Sequence, residues 1–220
     1  MKKLFVLLFL ITLKMVVFPQ SNLQKEHDLL VMPTAFTLEK GEGYFTDYEL
    51  FVLNLAWAPT PSTHISALSL FPITADALET FSVGVKQNLK NADHWGMAMF
   101  GSFTPKYKGY TIGGVGSYLV DHKLSIHLGF GLMGDTDSEG SEGLYLAGLK
   151  IDASQKFAFI VEYTNFETAA ENDFKGLINL GCRFRSKSLL IDFGGFRPLE
   201  STDDIILLPF LKGTVFFGKK

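Results

Sequence analysis

Hydrophobic and polar residues alternate over long stretches of this chain, and that alternation limits what it can fold into. From Lys123 to Leu132, every even position holds Leu, Ile or Phe, whereas odd positions hold Lys, Ser, His or Gly. The stretches 156–166, 174–185 and 187–196 repeat this pattern. Successive side chains of a β-strand point to opposite faces, so the pattern predicts strands with one apolar and one polar face.

The alternating stretches are long. We place candidate strands at roughly 44–58, 62–71, 79–90, 93–104, 109–120, 122–133, 143–153, 156–167, 174–186, 188–197 and 206–217. Strands of ordinary domains average about 5–6 residues, whereas a tilted strand that crosses a bilayer needs about 9–11. Beyond the N-terminal leader, no apolar run of about 18 residues is present to form a membrane-spanning helix. The lengths therefore favour a membrane β-barrel over a soluble β-sandwich.

Short and long connections alternate along the chain, as they do in outer-membrane barrels with short periplasmic turns and longer external loops. Links such as 120–121 and 186–187 are short, whereas 134–142 and 198–204 are long. We predict an all-β fold, a closed antiparallel transmembrane β-barrel of about 12 strands, with 10 as the fallback and both termini in the periplasm.

The first residues have the features of an export signal. Lys2 and Lys3 precede an apolar core at 4–13, which is the arrangement of a secretory signal peptide. We therefore predict a signal peptide at 1–21, an N-terminal segment at 22–43 and an outer-membrane barrel at 44–217. Segment 22–43 forms either a first strand around 29–38, against which Pro33 argues, or a plug in the lumen. Residues 22–28 are expected to be a loose polar tail.

The two faces of the predicted strands suggest two sets of functional residues. The polar face is expected to line the lumen with Lys86, His127, Glu162, Lys175, Asn179, Arg183, Arg185 and Asp192. Amphipathic rings near strand ends are expected at the membrane interface: Tyr44, Trp57, Phe81, Trp95, Phe103, Tyr110, Phe166 and Phe174.

Three stretches carry a resemblance to a known group: residues 32–50, Asp93-His-Trp-Gly96 and Leu208–Phe217. In these stretches the chain is similar to uncharacterised outer-membrane β-barrel proteins of the Bacteroidota type. Such barrels usually end on an aromatic residue that serves as an assembly signal, whereas here Phe217 is followed by three further residues. The resemblance implies the barrel architecture and carries no known chemistry.

A charged lumen favours a narrow channel or a transport-related barrel, because fixed charges set the selectivity of a pore. The alternatives are a structural or ligand-binding barrel with a closed interior and a soluble, lipocalin-like binder in the periplasm. The expected partners are outer-membrane lipids, the barrel-assembly machinery and small solutes or ions. The formal net charge of −3 gives no sign of nucleic-acid binding.

Catalysis is not expected from the sequence. His64 with Ser66, and Ser125 with His127, share strand faces as a lipase pair could, but no orienting acid or oxyanion donor accompanies them. The acidic loop from Gly134 to Gly140 has Leu where a calcium-binding EF-hand needs its last Glu. We predict no catalytic residues, metal site or cofactor, and Cys182 is the single cysteine.

Overall fold

The computed structural model describes residues 26–71, 79–137, 140–166, 176–199 and 207–218. Twelve strands run through these ranges: β1 Gly43–Tyr48, β2 Val52–Thr60, β3 Thr63–Leu70, β4 Ser82–Asn91, β5 Trp95–Thr104, β6 Gly109–Leu119, β7 Leu124–Asp135, β8 Ser141–Asp152, β9 Phe157–Phe166, β10 Leu177–Arg185, β11 Leu189–Pro198 and β12 Leu208–Phe217. Each strand pairs antiparallel with its neighbours in the chain, and β1 pairs with β12. The predicted closed antiparallel barrel of twelve strands is confirmed.

The two faces of the barrel wall differ sharply in polarity. In β7, Leu128 and Phe130 are exposed on the outer face, whereas Ser125 and His127 are buried on the inner face. An apolar exterior around a polar interior is the pattern of a barrel that lies in lipid. Within the described ranges, no helix is long and apolar enough to cross a membrane.

The connections separate into two ends. The links after β2, β4, β6, β8 and β10 have two to four residues, and both ends of the barrel sequence, Gly43 and Phe217, lie beside them. We call this the terminal end. Longer links follow β3, β9 and β11 at the opposite, loop end. The even number of strands places the start of β1 and the end of β12 at the same end.

A short turn at the terminal end shows how side chains set its geometry. The Asp121 carboxylate accepts hydrogen bonds from the backbone N–H groups of Lys123 at 2.6 Å and Leu124 at 2.8 Å. These two donors favour the charged form and hold the pKa of the Asp121 carboxyl below its usual range. The carboxylate thereby reverses the chain between β6 and β7.

The first strand predicted from the sequence, 44–58, is in fact two strands joined by a tight turn. Glu49 and Leu50 have φ angles of 57° and 64°, and the Phe51 N–H donates to the Tyr48 carbonyl at 3.0 Å. Two consecutive left-handed residues form the turn that matches hairpin twist, and Gly, Asn or Asp usually fills it. Because neither residue is of that kind, the residue types at this position predict no turn.

The predicted aromatic set lies mostly on the outer face, with one correction. Trp57, Phe81, Trp95 and Phe103 are exposed, and Tyr110 is half-buried. Tyr44 does not face the membrane interface: it is buried inside the barrel and stacks on His27, with ring centroids 4.2 Å apart. Its pairing with Ala56 and Phe216 turns its side chain inward. The prediction was wrong because it used the position of the ring near a strand end and not the face of the strand. Phe174 and the side chain of Phe166 lie outside the described residues.

Candidate functional site: the charged lumen and its inner segment

Residues 26–38, here called the inner segment, lie inside the barrel and form no strand of the wall. An isolated bridge joins Asp28 to Pro33, and the Leu29 N–H donates to the Met32 carbonyl at 2.9 Å. The described segment therefore begins beside Lys150 and Arg185, reverses at 29–32 and returns towards β1. The ladder considered around 29–38 is not formed.

Wall side chains satisfy the backbone donors of the inner segment. The Glu162 carboxylate accepts from the N–H groups of Val31 and Met32, each at 3.2 Å. The Ala35 N–H donates to the Ser117 hydroxyl at 2.9 Å. Buried backbone groups need such partners, so the segment is held by specific bonds as well as by its shape.

The turn of the inner segment is apolar and packs closely on the wall. Leu29, Leu30 and Met32 are buried in a cluster with side chains that include Val115, Leu146, Ile160 and Phe210. Two glycines make room for the turn: a Cβ on Gly148 would lie 2.4 Å from Leu29 Cδ1, and one on Gly181 would lie 2.9 Å from Leu30 Cδ1. The absence of side chains at these two wall positions allows the leucines to approach the backbone.

Glu26 is the centre of a buried ionic network. Its Oε2 atom lies 2.8 Å from Arg183 Nη1 and 3.0 Å from Lys150 Nζ, and its Oε1 atom accepts from Arg185 Nε. Arg185 also forms an ion pair with Asp152, with Nη2 2.5 Å from Oδ1. One carboxylate of the inner segment therefore contacts three cations of the wall.

Arg183 connects that centre to the adjacent strand β11, where Asp192 lies directly opposite it. It is fully buried and binds Asp192 in a bidentate manner, with Nε–Oδ1 and Nη2–Oδ2 distances of 2.7 Å. It also donates to the backbone carbonyls of Asp28 at 2.9 Å and Leu29 at 2.6 Å. Lys212 adds a 2.8 Å bond to the Asp28 carboxylate. Paired, fully hydrogen-bonded charges of this kind are how a buried charge is tolerated.

Lys86 binds the inner segment through backbone oxygens. Its ammonium donates to the carbonyls of His27 at 2.6 Å, Phe36 at 2.7 Å and Thr34 at 3.1 Å. The three donors of an ammonium are thereby used. This contact fastens both the outgoing and the returning arm of the segment.

The charges on the wall and on the inner segment balance. Among described strand residues, the buried basic side chains are Lys86, Lys150, Arg183, Arg185 and Lys212, and the buried acidic ones are Asp152, Glu162 and Asp192. The wall thus has two more positive than negative buried charges. Glu26 and Asp28 of the inner segment supply two carboxylates, so the segment neutralises the lumen that it occupies.

The structure places most of the predicted polar-face residues together in this interior. Seven of them are buried: Lys86, His127, Glu162, Asn179, Arg183, Arg185 and Asp192. Lys175 lies outside the described residues. Sequence reasoning missed Glu26, Asp28, Lys150, Asp152 and Lys212. The signal that could have found the first two was the excess of basic residues on the polar face, which requires carboxylates from elsewhere.

The serine–histidine pair on β7 lies in the same interior. His127 Nε2 is 3.0 Å from the Ser125 hydroxyl, and its Nδ1 is 2.7 Å from the Ser117 hydroxyl. A catalytic triad uses a carboxylate to orient the imidazole, whereas here both ring nitrogens contact hydroxyl groups. All three side chains are buried, so the arrangement ties β6 to β7.

An apolar groove of about 830 Å³ crosses the outer wall from β2 to β6. Its floor includes Ala67 and Gly101, and its rims include Trp57, Phe103 and Ile112. These residues are on the outward face of their strands. The shape and lining suit hydrocarbon, as expected for a wall in contact with lipid.

Comparison of the sequence with protein-family models gave no match, and comparison with curated proteins gave none. Among solved structures, the chain is similar to mutants of the Rh. blastica porin, with 8% identity and a TM-score of 0.43. The matched region covers 76% of this chain and 55% of the porin. It thus spans about half of that porin's length. It is also similar to LpxR from Salmonella typhimurium at 10% identity and a TM-score of 0.43, covering 80% of this chain and 99% of that one.

Proposed function

We propose that this protein is an outer-membrane β-barrel that acts as a narrow, gated channel, with its inner segment as the gate. The membrane location is supported by the apolar outer face and by strands of membrane-crossing length. Its partners are then the surrounding lipids and small solutes that pass the lumen. The proposal assigns the protein no chemical reaction.

The observation that carries this proposal is that a segment of the chain itself, rather than the wall, closes a charged lumen. The wall provides buried cations and carboxylates around the interior, and residues 26–38 occupy the space between them. About eight strands enclose an interior that their own side chains can fill, so a wall of twelve strands leaves a lumen that a further element must close. A segment that closes a polar lumen without joining the wall is the arrangement that a gate requires.

The ionic network keeps the closed state dominant. Separating a single buried ion pair costs about 3–5 kcal/mol, and each 1.4 kcal/mol is about a factor of ten in population. Opening by loss of the Glu26 contacts alone therefore occurs in fewer than about one molecule in a hundred. The unperturbed protein should be almost silent in a bilayer.

A second candidate is a structural or ligand-binding barrel whose interior never opens. The number of bonds between the inner segment and the wall favours it, since Arg183 alone makes contacts to Glu26, Asp28 and Leu29. The two candidates differ in whether weakening these bonds produces conductance.

Planar-bilayer recording separates them. The full chain should show rare openings, whereas the double variant Glu26→Gln/Asp28→Asn should open frequently, because both carboxylates that hold the segment lose their charge. The matched control Glu39→Gln/Asp137→Asn changes the same residue types at exposed positions and should behave as the parent chain. A correctly inserted double variant that stays as silent as the control refutes the gate and leaves the closed barrel.

A further inference from the structure

The Glu26 carboxylate sits in a site that the barrel wall builds. Arg183 and Lys150 contact its Oε2 atom at 2.8 and 3.0 Å, and Arg185 contacts its Oε1 atom. These three cations come from β8 and β10, so the site exists on the wall independently of the inner segment. Guanidinium groups suit oxyanions because their N–H donors match carboxylate and phosphate oxygens.

The site also lies where a solute could reach it. Lys150 lies two residues before the end of β8 and Arg185 is the last residue of β10, so both are near the short links of the terminal end. Glu26, the first residue that the structure describes, lies beside these two side chains. Withdrawal of the segment would therefore leave these cations facing the terminal end.

Withdrawal would also leave the wall with an excess of positive charge. Asp152 stays with Arg185 and, at 3.8 Å, with Lys150, and Asp192 stays with Arg183. Glu26 no longer neutralises the group, however, and Asp28 no longer contacts Lys212. A buried excess of positive charge is costly. An anion that replaced the carboxylates would remove that cost.

We infer that the wall carries an oxyanion site formed by Lys150, Arg183 and Arg185, which Glu26 occupies in the closed barrel and which small phosphate or carboxylate anions occupy when the inner segment is displaced. This inference rests on the proposed gate. It identifies the solute class of the lumen as small oxyanions, and it makes such anions competitors of the segment.

Calorimetric titration tests the site without requiring a channel. Inorganic phosphate and citrate, the probes for the two anion types, should each bind the Glu26→Gln/Asp28→Asn variant at least ten times more tightly than the parent chain. Adding Lys150→Met to that variant should weaken binding about tenfold, whereas adding Lys156→Met, at an exposed turn position, should not. Equal binding by the parent chain and the double variant overturns the inference.

A disulfide lock provides a second route if the double variant fails to fold. A Cβ on Gly96 would lie 3.3 Å from the Ala35 Cβ, close to the roughly 3.5–4.5 Å of a disulfide. In a Cys182→Ser background, Ala35→Cys/Gly96→Cys should bind phosphate more tightly when reduced than when oxidised, because only the reduced segment can leave. Equal binding in both states overturns the oxyanion site.

Reversal potentials in a KCl gradient distinguish failure of the gate from failure of the site. The double variant should prefer chloride to potassium, and its selectivity should fall when Lys150→Met is added. Anion binding without conductance in any variant would refute the gate and retain the site. Conductance with a preference for potassium and no anion binding would retain the gate and refute the site.

Discussion

Replacing Arg183 by Met tests the ionic network most severely, because this side chain is fully buried and touches both the inner segment and the wall. Methionine keeps much of the volume but removes every donor. Among the described residues, Asp192 then keeps the Lys212 ammonium at 3.4 Å, Asp28 keeps the same ammonium at 2.8 Å, and Glu26 keeps Lys150 and Arg185. The variant therefore contains three carboxylates that are less well neutralised, since Arg183 Nη2 also lies 3.5 Å from Asp28 Oδ1.

The expected loss follows from these remaining contacts. Removing one partner of a buried ion pair costs about 3–5 kcal/mol. Because each carboxylate keeps another cation, we expect the lower end, about 3 kcal/mol of the free energy of unfolding. That is a factor on the order of 100 in the equilibrium between folded and unfolded chains.

Urea unfolding in detergent micelles, followed through the fluorescence of Trp57 and Trp95, measures this loss. Lys156→Met is the control, and at its exposed position the change should stay within about 0.5 kcal/mol. Combining Arg183→Met with Asp192→Asn should cost less than the sum of the two single changes, with a coupling of about 1–3 kcal/mol. A loss below about 1 kcal/mol for Arg183→Met, or additive changes, would show that the network does not hold the interior together.

Two further predictions concern packing and closure. Gly148→Val should lower the free energy of unfolding by about 1–3 kcal/mol, because the new Cβ would collide with Leu29. Gly213→Ala, where no atom lies within 4 Å of the new Cβ, should be nearly neutral in the same urea assay. Equal effects of the two changes would contradict the close packing of the inner segment. Thr214→Val should lower the stability of the barrel by about 1–3 kcal/mol, because it leaves the buried Thr46 hydroxyl without its 2.8 Å partner across the β1–β12 seam. The double change Thr46→Val/Thr214→Val should recover most of that stability, as measured by heat-modifiability on detergent gels. A double variant less stable than the single one would contradict this role of the hydroxyl pair.

The strands could be predicted because a membrane barrel has a different solvent on each face, so a period of two is imposed along every strand. The stretch predicted at 122–133 corresponds to β7, Leu124–Asp135. The β1–β2 turn could not be predicted, since Glu49 and Leu50 adopt left-handed backbone conformations without being turn-forming residue types. Tyr44 was assigned to the wrong face because its position near a strand end was used and its parity, which it shares with the buried Thr46 and Ala56, was not.

The interior was predicted only in part, because the polar face of a strand shows which residues point inward but not what they contact. Residues 22–28 read as a loose polar tail, yet Glu26 and Asp28 are buried in ion pairs. Their partners on β8, β10 and β12 are more than a hundred residues away in sequence. No local pattern reports a contact of that separation, and only the unbalanced charge of the polar face pointed to it.

Both proposals depend on the burial of residues 26–38 inside a closed barrel, and cysteine accessibility measures that burial. In a Cys182→Ser background, Ala35→Cys should stay unlabelled by a bulky maleimide in the folded, detergent-solubilised protein and should react fully after denaturation. Ser186→Cys, at an exposed turn of the terminal end, should react at once in both states. Labelling of Ala35→Cys as fast as Ser186→Cys in the folded protein would contradict the account.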